Sequence, residues 1–175
     1  VEARESSQPH VVAWGYVSLV ASGNVAIKIA RNCAALLLNF TGKITGRASI
    51  RRLSLDSPKK WLEYRSVSVT RGIAVLFKCV SEKWTTDRGM DYAPGRTPVA
   101  QDWDGGLAEC GGGLHFCAHP SVAKSFYQGS KYVAVPVRVK DMRCPKVTDQ
   151  YPNKIKAKGA CGPVYEVDEN GKKAE

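Results

Sequence analysis

The run Ile73-Ala74-Val75-Leu76-Phe77-Lys78-Cys79-Val80 is the stretch from which the fold of this chain is predicted. It is a short, nearly continuous apolar run rich in β-branched and aromatic residues, which is typical of a strand buried on both faces. The alternating run Ser66-Val67-Ser68-Val69-Thr70 and the turn at Arg71-Gly72 precede it and predict a second strand. A compact domain is therefore expected here.

Helices and further strands are predicted around this central strand. Ser57 supplies an N-cap and Pro58 a first helical residue, so a short helix is expected from Pro58 to about Tyr64. A second helix is expected from Pro120 or Ser121 to about Tyr127, followed by strands over 132–139 and 164–167. Residues 58–168 are therefore predicted to form an α+β domain, and residues 169–175 a disordered tail.

The interval 81–109 predicts a long loop. It holds few apolar periodicities and many Gly and Pro residues, but it also carries the aromatic residues Trp84, Tyr92 and Trp103. Long loops in a compact domain usually have a function or are disordered, and aromatic anchoring favours a function.

A short unit recurs near the N-terminus, and we interpret it as a β-repeat. The unit is seen at Ala3-Arg4-Glu5, Ala13-Trp14-Gly15, Ala21-Ser22-Gly23 and Ala30-Arg31-Asn32, each followed by small, polar and β-branched residues. This pattern predicts a narrow β-solenoid-like stack over residues 1–40, with the alanines inward, and the alternative is an ordinary β-meander. So short a stack would need a cap or self-association. The basic, polar residues 41–57 are predicted to be a linker.

The composition of the chain limits the classes of partner that the protein is expected to bind. The 175 residues include 26 Lys and Arg against 16 Asp and Glu, so the formal charge of +10 favours an anionic partner such as nucleic acid or a nucleotide. No apolar run approaches the roughly 18–20 residues of a membrane span, so no membrane association is expected. Six scattered cysteines and the lack of a signal-peptide pattern predict reduced thiols and a cytoplasmic location, here that of a host cell.

The segment from Glu109 to Pro120, Glu-Cys-Gly-Gly-Gly-Leu-His-Phe-Cys-Ala-His-Pro, carries the sharpest local signal. Three consecutive glycines, Gly111, Gly112 and Gly113, are expected where the backbone turns tightly or approaches a ligand. Their N–H groups and the helix start that follows would suit a phosphate or another anion. The alternative is a glycine-rich hairpin that only turns the chain.

The residue types of this segment are also those of two other chemistries, zinc binding and thiol catalysis. Cys110, His115, Cys117 and His119 offer four zinc-ligand types, but their spacing is poor, so no metal is predicted. Cys117 near two histidines would also suit a thiol nucleophile, yet nothing matches a thiol-hydrolase signature. Cysteines that pack as small apolar residues and histidines that form hydrogen bonds are the favoured interpretation, and no cofactor is predicted.

The chain from about Trp61 to Val167 resembles an uncharacterised domain carried by phages and actinobacteria, sometimes behind a short Ala/Gly/Val repeat. The resemblance is carried by the segment Glu-Cys-Gly-Gly-Gly-Leu-His-Phe at 109–116, Tyr-Ala-Pro-Gly at 92–95, Trp-Asp-Gly-Gly at 103–106 and Cys-Gly-Pro-Val-Tyr-Glu-Val at 161–167. It implies a phage or phage-derived cytosolic protein and no established activity.

A weaker similarity suggests an activity. The order of residues 111–116, followed by Ala123 and Phe126, resembles the nicotinamide-site strand and helix of ADP-ribosyltransferases of the poly(ADP-ribose) polymerase type, with His115 where the family has Tyr. The resemblance implies NAD as cofactor, His115 and Glu166 as catalytic residues, and an ADP-ribosyltransferase-like fold. Glu166 would then stabilise oxocarbenium-like charge.

Two functions are therefore weighed. The leading one is a binding or assembly module whose glycine-rich cleft takes an anionic or macromolecular partner. The alternative is an ADP-ribosyltransferase-like effector that modifies a host protein or nucleic acid. In either case the predicted site contains Gly111–Gly113, His115 and His119. Its wall is expected to include Glu109, Tyr92 and Trp103, and its charge is expected to come from Lys78, or from Lys154, Lys156 and Lys158. The alternative to an open cleft is a loop that only packs over the core and leaves no site there.

Overall fold

The computed structural model describes residues 2–3, 10–13, 18–31, 33–53, 55–108, 111–144 and 153–174. The chain forms two compact units, one of residues 1–56 with 146–150 and the other of residues 57–145 with 151–175. Each unit has a hydrophobic core of its own.

The first unit is built from parallel strands. Alternate strands enter different sheets, so that a four-stranded sheet has the order β1-β3-β5-β7 and a three-stranded sheet has the order β2-β4-β6. The core of this unit is apolar and includes Leu19, Val25, Ile27 and Leu37. The strands are β1 (Glu2–Ala3), β2 (His10–Ala13), β3 (Ser18–Gly23), β4 (Ala26–Ile29), β5 (Ala34–Phe40), β6 (Ile44–Gly46) and β7 (Ser49–Leu53).

The predicted fold class, α+β with a β-solenoid-like repeat, is wrong. Strands make up 40% of the structure and helices 11%, so the described chain is mostly β. The described strands of residues 1–40 form open parallel sheets that neither close nor curl, and they form no solenoid. The period-two pattern identifies strands but not their partners, because pairing depends on residues elsewhere in the chain.

Details of the predicted repeat and linker also differ from expectation. Ala21 is buried and Ala30 half-buried, whereas the side chains of Ala3 and Ala13 lie outside the described set. Residues 41–57, predicted as a linker, include β6 and β7.

The second unit contains one antiparallel sheet with the order β12-β13-β10-β9-β11-β14, and β8 also pairs with β9. Two short helices, a 3-10 turn over Val139–Asp141 and the loop between β9 and β10 complete the described part of this unit. Its elements are α1 (Pro58–Tyr64), β8 (Val69–Thr70), β9 (Ile73–Val80), β10 (Leu114–Cys117), α2 (Pro120–Lys124), β11 (Lys131–Arg138), β12 (Met142–Arg143), β13 (Lys154–Ala157) and β14 (Tyr165–Val167).

The central strand β9 has the predicted bounds and is buried on both faces. Ala74, Leu76 and Val80 belong to the larger core, while Cys79 belongs to a second core on the other face, with Phe77 packed against it. Because side chains alternate along a strand, Lys78 shares its face with Leu76 and Val80. The sheet therefore places one amine at the edge of an otherwise apolar core.

The first helix also matches its prediction. The Ser57 hydroxyl accepts a hydrogen bond from the Lys60 N–H at 3.4 Å, and Pro58 begins α1. The second helix is shorter than predicted and ends at Lys124. Within the predicted tail, the Asp168 N–H donates to the Lys172 carbonyl and Val167 pairs with Lys173. No helix in the described ranges is long and apolar enough to cross a membrane.

Candidate functional site

A cavity of about 650 Å³ opens where β9 and β10 separate. Along the two strands, Cys117 and Phe77 form the single registered pair, and the residues before Cys117 and after Phe77 diverge. Residues from both strands, from the long loop, from the region of α2 and from β13 line the space. The chemistry-bearing part of the wall consists of Lys78, Arg88, His115 and Lys154, with the aromatic residues Phe77, Tyr92, Phe126 and Tyr127.

Lys78 contributes a buried amine to this cavity. Its Nζ donates a hydrogen bond to the His115 carbonyl at 3.0 Å, at the place where the two strands have separated. Nζ also lies 5.5 Å from the centre of the Tyr92 ring and 5.9 Å from that of Phe116. Burial lowers the pKa of Lys78, and this desolvation outweighs the opposite effect of the Asp87 carboxylate.

Tyr92 brings a buried hydroxyl to the same wall. Its side chain is 1% exposed and packs edge-to-face against Phe116, with ring centres 6.4 Å apart. Its hydroxyl has no hydrogen-bond partner among the described residues. Burial raises the pKa of Tyr92, so the hydroxyl stays protonated at neutral pH and is able to donate.

The three glycines are explained by packing within the protein. A Cβ on Gly112 would lie 1.6 Å from the Asp102 carbonyl oxygen. Gly113 has φ of +123°, and a Cβ there would meet the Trp103 ring at 2.8 Å. Of the three glycines, Gly113 lines the cavity and Gly111 and Gly112 do not. The glycines therefore allow the backbone at 112–113 to lie close to the loop of residues 102–104.

Polar contacts hold this loop against the sheet. The Gly113 N–H donates to Asp102 Oδ1 at 3.0 Å. Lys156 on β13, 5% exposed, places Nζ 3.0 Å from Asp104 Oδ1 and 3.3 Å from the Ala108 carbonyl oxygen. Hydrogen bonds from the Gly106 N–H and then from Lys156 lower the pKa of Asp104. We call these contacts the loop latch; they join the loop to Gly113 and to β13, and two of their residues, Asp102 and Gly113, also line the cavity.

The remaining predicted site residues lie elsewhere. His119 caps α2, with its Nδ1 3.3 Å from the Ser121 nitrogen, and it is exposed outside the cavity. Trp103 packs against the core and does not line the cavity. Glu166 is on β14, which is separated from β10 by β9 and β11, or roughly 14 Å at strand spacing. The structure therefore brings together Lys78, Tyr92, Gly113 and His115 and leaves Glu166 apart.

The thiols of the cavity are poorly suited to nucleophilic or metal chemistry. Burial raises the pKa of Cys117 to about 12 and also raises that of Cys79, so both thiols stay protonated at neutral pH. No group of three His, Cys, Asp or Glu in the described ranges would hold a metal ion. Cys110 lies outside the described residues, as does Glu109.

The sequence patterns missed several residues of the wall. Arg88 sits in the long loop without periodicity, and Phe77 and Tyr127 were predicted only as core or helix residues. Lys156 was one of three lysines offered as cavity charge, and instead it is the centre of the loop latch. The charged and aromatic residue types are visible in the sequence, but their convergence is not.

Residues 74–159 match a family described as a domain of unknown function (DUF7666). This match agrees with the predicted resemblance to an uncharacterised domain and covers the cavity-forming part of the second unit, from β9 to β13. No curated protein and no solved structure matches the chain.

Proposed function

We propose that the second unit is a binding module for a small anionic molecule that carries a planar ring, with nucleotides as the best-fitting class. The observation that carries this proposal is the combination, in one cavity, of basic side chains with aromatic rings. Arg88 and Lys154 supply the charge, and Phe126 and Tyr127 are among the rings.

The size of the cavity favours a small molecule over a macromolecule. A volume of about 650 Å³ falls within the range of about 300–1,000 Å³ that is typical of ligand pockets. A single nucleotide fits that volume. Among the anionic partners that the net charge of +10 favours, a compact ligand therefore fits this cavity best.

The charges of the wall favour an anion. The lining contains three basic side chains, Lys78, Arg88 and Lys154, and two carboxylates, Asp87 and Asp102. The Asp102 carboxylate is already engaged, because it accepts the Gly113 N–H. Lys154 Nζ lies 5.6 Å from the centre of the Phe126 ring, so a cation and an aromatic face are presented side by side. A phosphate beside a base is the ligand chemistry that matches this arrangement.

Calorimetric titration of the full chain with AMP, adenosine and inorganic phosphate tests the proposal. AMP is expected to bind more tightly than either fragment, because it alone uses both the charge and the rings. Arg88→Ala, Lys154→Ala and Phe126→Ala are each expected to weaken AMP binding by about tenfold or more, in line with the loss of a charged or stacking contact. Lys59→Ala, an exposed lysine of α1, is the matched control and is expected to bind normally.

Two results would contradict this function. One is a lack of AMP binding at millimolar concentration. The other is equal weakening by Lys59→Ala, which would mean that binding follows overall charge and not the cavity.

The ADP-ribosyltransferase alternative gains no support of its own from the geometry. His115 lines the cavity, but Glu166 lies on a strand at the far side of β9 and β11. Adding NAD to the same titrations, with release of nicotinamide as the readout, tests it directly. Nicotinamide release that Glu166→Gln abolishes would restore the enzyme interpretation.

A cytoplasmic location in a host cell and self-association through the first unit complete the proposal. The described part of that unit consists of two open sheets, and open sheets have edge strands whose backbone groups are able to pair with another chain. Light scattering on the full chain is expected to show an oligomer. A monomeric mass at high concentration would remove the assembly role.

A further inference from the structure

We propose that Lys78 is a covalent attachment point, at which its amine forms an imine with an aldehyde or ketone group of a ligand held in the cavity. This inference rests on the proposed binding function and adds to it the chemical class of the ligand, a carbonyl compound that also carries an anionic group.

The first support is the position of the amine. Lys78 lies on the central strand between Leu76 and Val80, and its side chain reaches the wall of the cavity. Its Nζ contacts a carbonyl oxygen and two aromatic rings, and no carboxylate lies within ion-pair distance of it in the described chain. A neutral amine donates one N–H to the His115 carbonyl and keeps its lone pair for bond formation. Burial, which lowers the pKa of Lys78, favours that neutral form.

The second support is a proton donor nearby. Tyr92 lines the same cavity, and the centre of its ring is 5.5 Å from Lys78 Nζ. Its buried hydroxyl has no partner among the described residues, which is costly by about 1–3 kcal/mol. A hydrogen bond to a ligand oxygen would recover this energy. Tyr92 is therefore placed to protonate the oxygen of a carbonyl that Lys78 attacks.

The step balances without any oxidant or reductant. The nitrogen lone pair of Lys78 forms a bond to the carbonyl carbon, and the electron pair of the C=O π bond moves to oxygen. That oxygen takes a proton from Tyr92, and the nitrogen returns one of its protons to the tyrosinate. A second proton transfer then releases the hydroxyl as water and leaves a C=N bond between Lys78 and the ligand.

The charged and titratable groups that face Lys78 come from three elements. Cys117 and His115 lie on β10, Asp87, Arg88 and Tyr92 on the long loop, and Lys154 on β13. Lys154 and Arg88 oppose the protonation of Lys78, while Asp87 favours it less strongly than burial opposes it. The same two cations line the cavity in which the anionic group of the ligand would lie.

The test uses pyridoxal 5′-phosphate, an aldehyde that carries a ring and a phosphate, as a probe. The full chain is incubated with the probe, reduced with borohydride and mapped by peptide mass spectrometry. At about pH 7, Lys78 is expected to carry about tenfold more label than an average exposed lysine, because exposed lysines are almost fully protonated there. This preference is expected to shrink as the pH rises to about 9.

Variants complete the test. Lys78→Met removes the amine but keeps an unbranched apolar chain, and it is expected to lose the dominant label. Lys140→Met, at an exposed lysine outside the cavity, is expected to keep it. Mapping of the unmodified protein decides the question even if Lys78→Met does not fold. Label spread evenly over the exposed lysines, or concentrated on Lys154, would overturn the inference.

The outcome is separable from that of the proposed function, because AMP has no carbonyl group of this kind. Binding of AMP without labelling of Lys78 would overturn the covalent site and leave the binding function standing. Labelling of Lys78 without binding of AMP would support the covalent site and refute the nucleotide class of ligand.

Discussion

Replacement of Gly112 by alanine is expected to destabilise the second unit through a steric overlap, and not through backbone conformation or loss of a ligand. A Cβ at this position would lie 1.6 Å from the Asp102 carbonyl oxygen and 2.7 Å from the Asp102 carbonyl carbon. Non-bonded carbon and oxygen atoms need more than 3 Å, so the two backbone segments must move apart. Asp102 also holds Gly113, and the same movement strains that hydrogen bond.

The size of the effect follows from these contacts. Forcing an extra methyl group into a packed site costs about 1–3 kcal/mol. Weakening the bond between Gly113 N–H and Asp102 Oδ1 adds about 0.5–1.5 kcal/mol. The smaller conformational freedom of alanine in the unfolded chain offsets about 0.4–1 kcal/mol. The expected loss in the free energy of unfolding is therefore about 2–3 kcal/mol, or a fall in Tm of about 10 °C or more.

Gly89→Ala is the matched control. Gly89 has φ of +76°, but a Cβ there would meet nothing within 4 Å. An alanine in this left-handed conformation costs about 1–2 kcal/mol, and the unfolded-state effect of about 0.4–1 kcal/mol offsets about half of that cost. Its expected loss of stability is therefore about 1 kcal/mol or less.

Urea unfolding of both variants, followed by tryptophan fluorescence, measures the two losses. The reasoning is refuted if Gly112→Ala stays within about 0.5 kcal/mol of the wild-type protein, or if Gly89→Ala is destabilised as much as Gly112→Ala. Either result would mean that contact with Asp102 does not explain the glycine.

Three further outcomes are expected. Asp104 has a lowered pKa in the folded protein, so its ionised carboxylate stabilises the fold at neutral pH, and this stabilisation is lost as the pH falls through its folded pKa. Asp104→Asn should therefore flatten the fall of Tm between about pH 5 and pH 3. An unchanged slope would show that this carboxylate does not contribute to the acid-induced loss of stability. Ser57→Ala removes the cap of α1 and should cost about 0.5–1 kcal/mol in urea unfolding, whereas a neutral effect would show that the 3.4 Å contact stabilises nothing. Alkylation of the native protein at about pH 8 should label the partly exposed Cys161 well before the buried Cys117, and equal rates would contradict the burial of Cys117; denatured protein should titrate as six thiols.

The parts of the fold that could be predicted from the sequence are mostly those that residues adjacent in the chain determine. The bounds of β9 match because its apolar run ends sharply at a turn on one side and at a polar loop on the other. The start of α1 matches because a cap and a proline act within one turn. By contrast, β13 lies in a lysine-rich stretch that has no apolar periodicity, and it becomes a strand because β10 and β12 pair with it.

The candidate site divides in the same way. The sequence indicated Lys78, Tyr92 and His115, and all three line the same cavity in the structure. The sequence also grouped His119 and Glu166 with them, on grounds of spacing and resemblance, and the structure places both outside that cavity. Spacing along a chain does not show which strands become neighbours, and the order β10-β9-β11-β14 separates Glu166 from His115.

The sequence by itself determined the single amine in the central strand, the glycine run, the basic excess and the local starts of strand and helix, since each depends on residue type or on a few adjacent residues. Only the tertiary structure decided that the glycines fit against Asp102 and Trp103, that Lys156 holds the loop and that β9 and β10 separate to leave a cavity beside Lys78. These features depend on the pairing of distant segments, and long-range burial, which no local pattern records, selects that pairing.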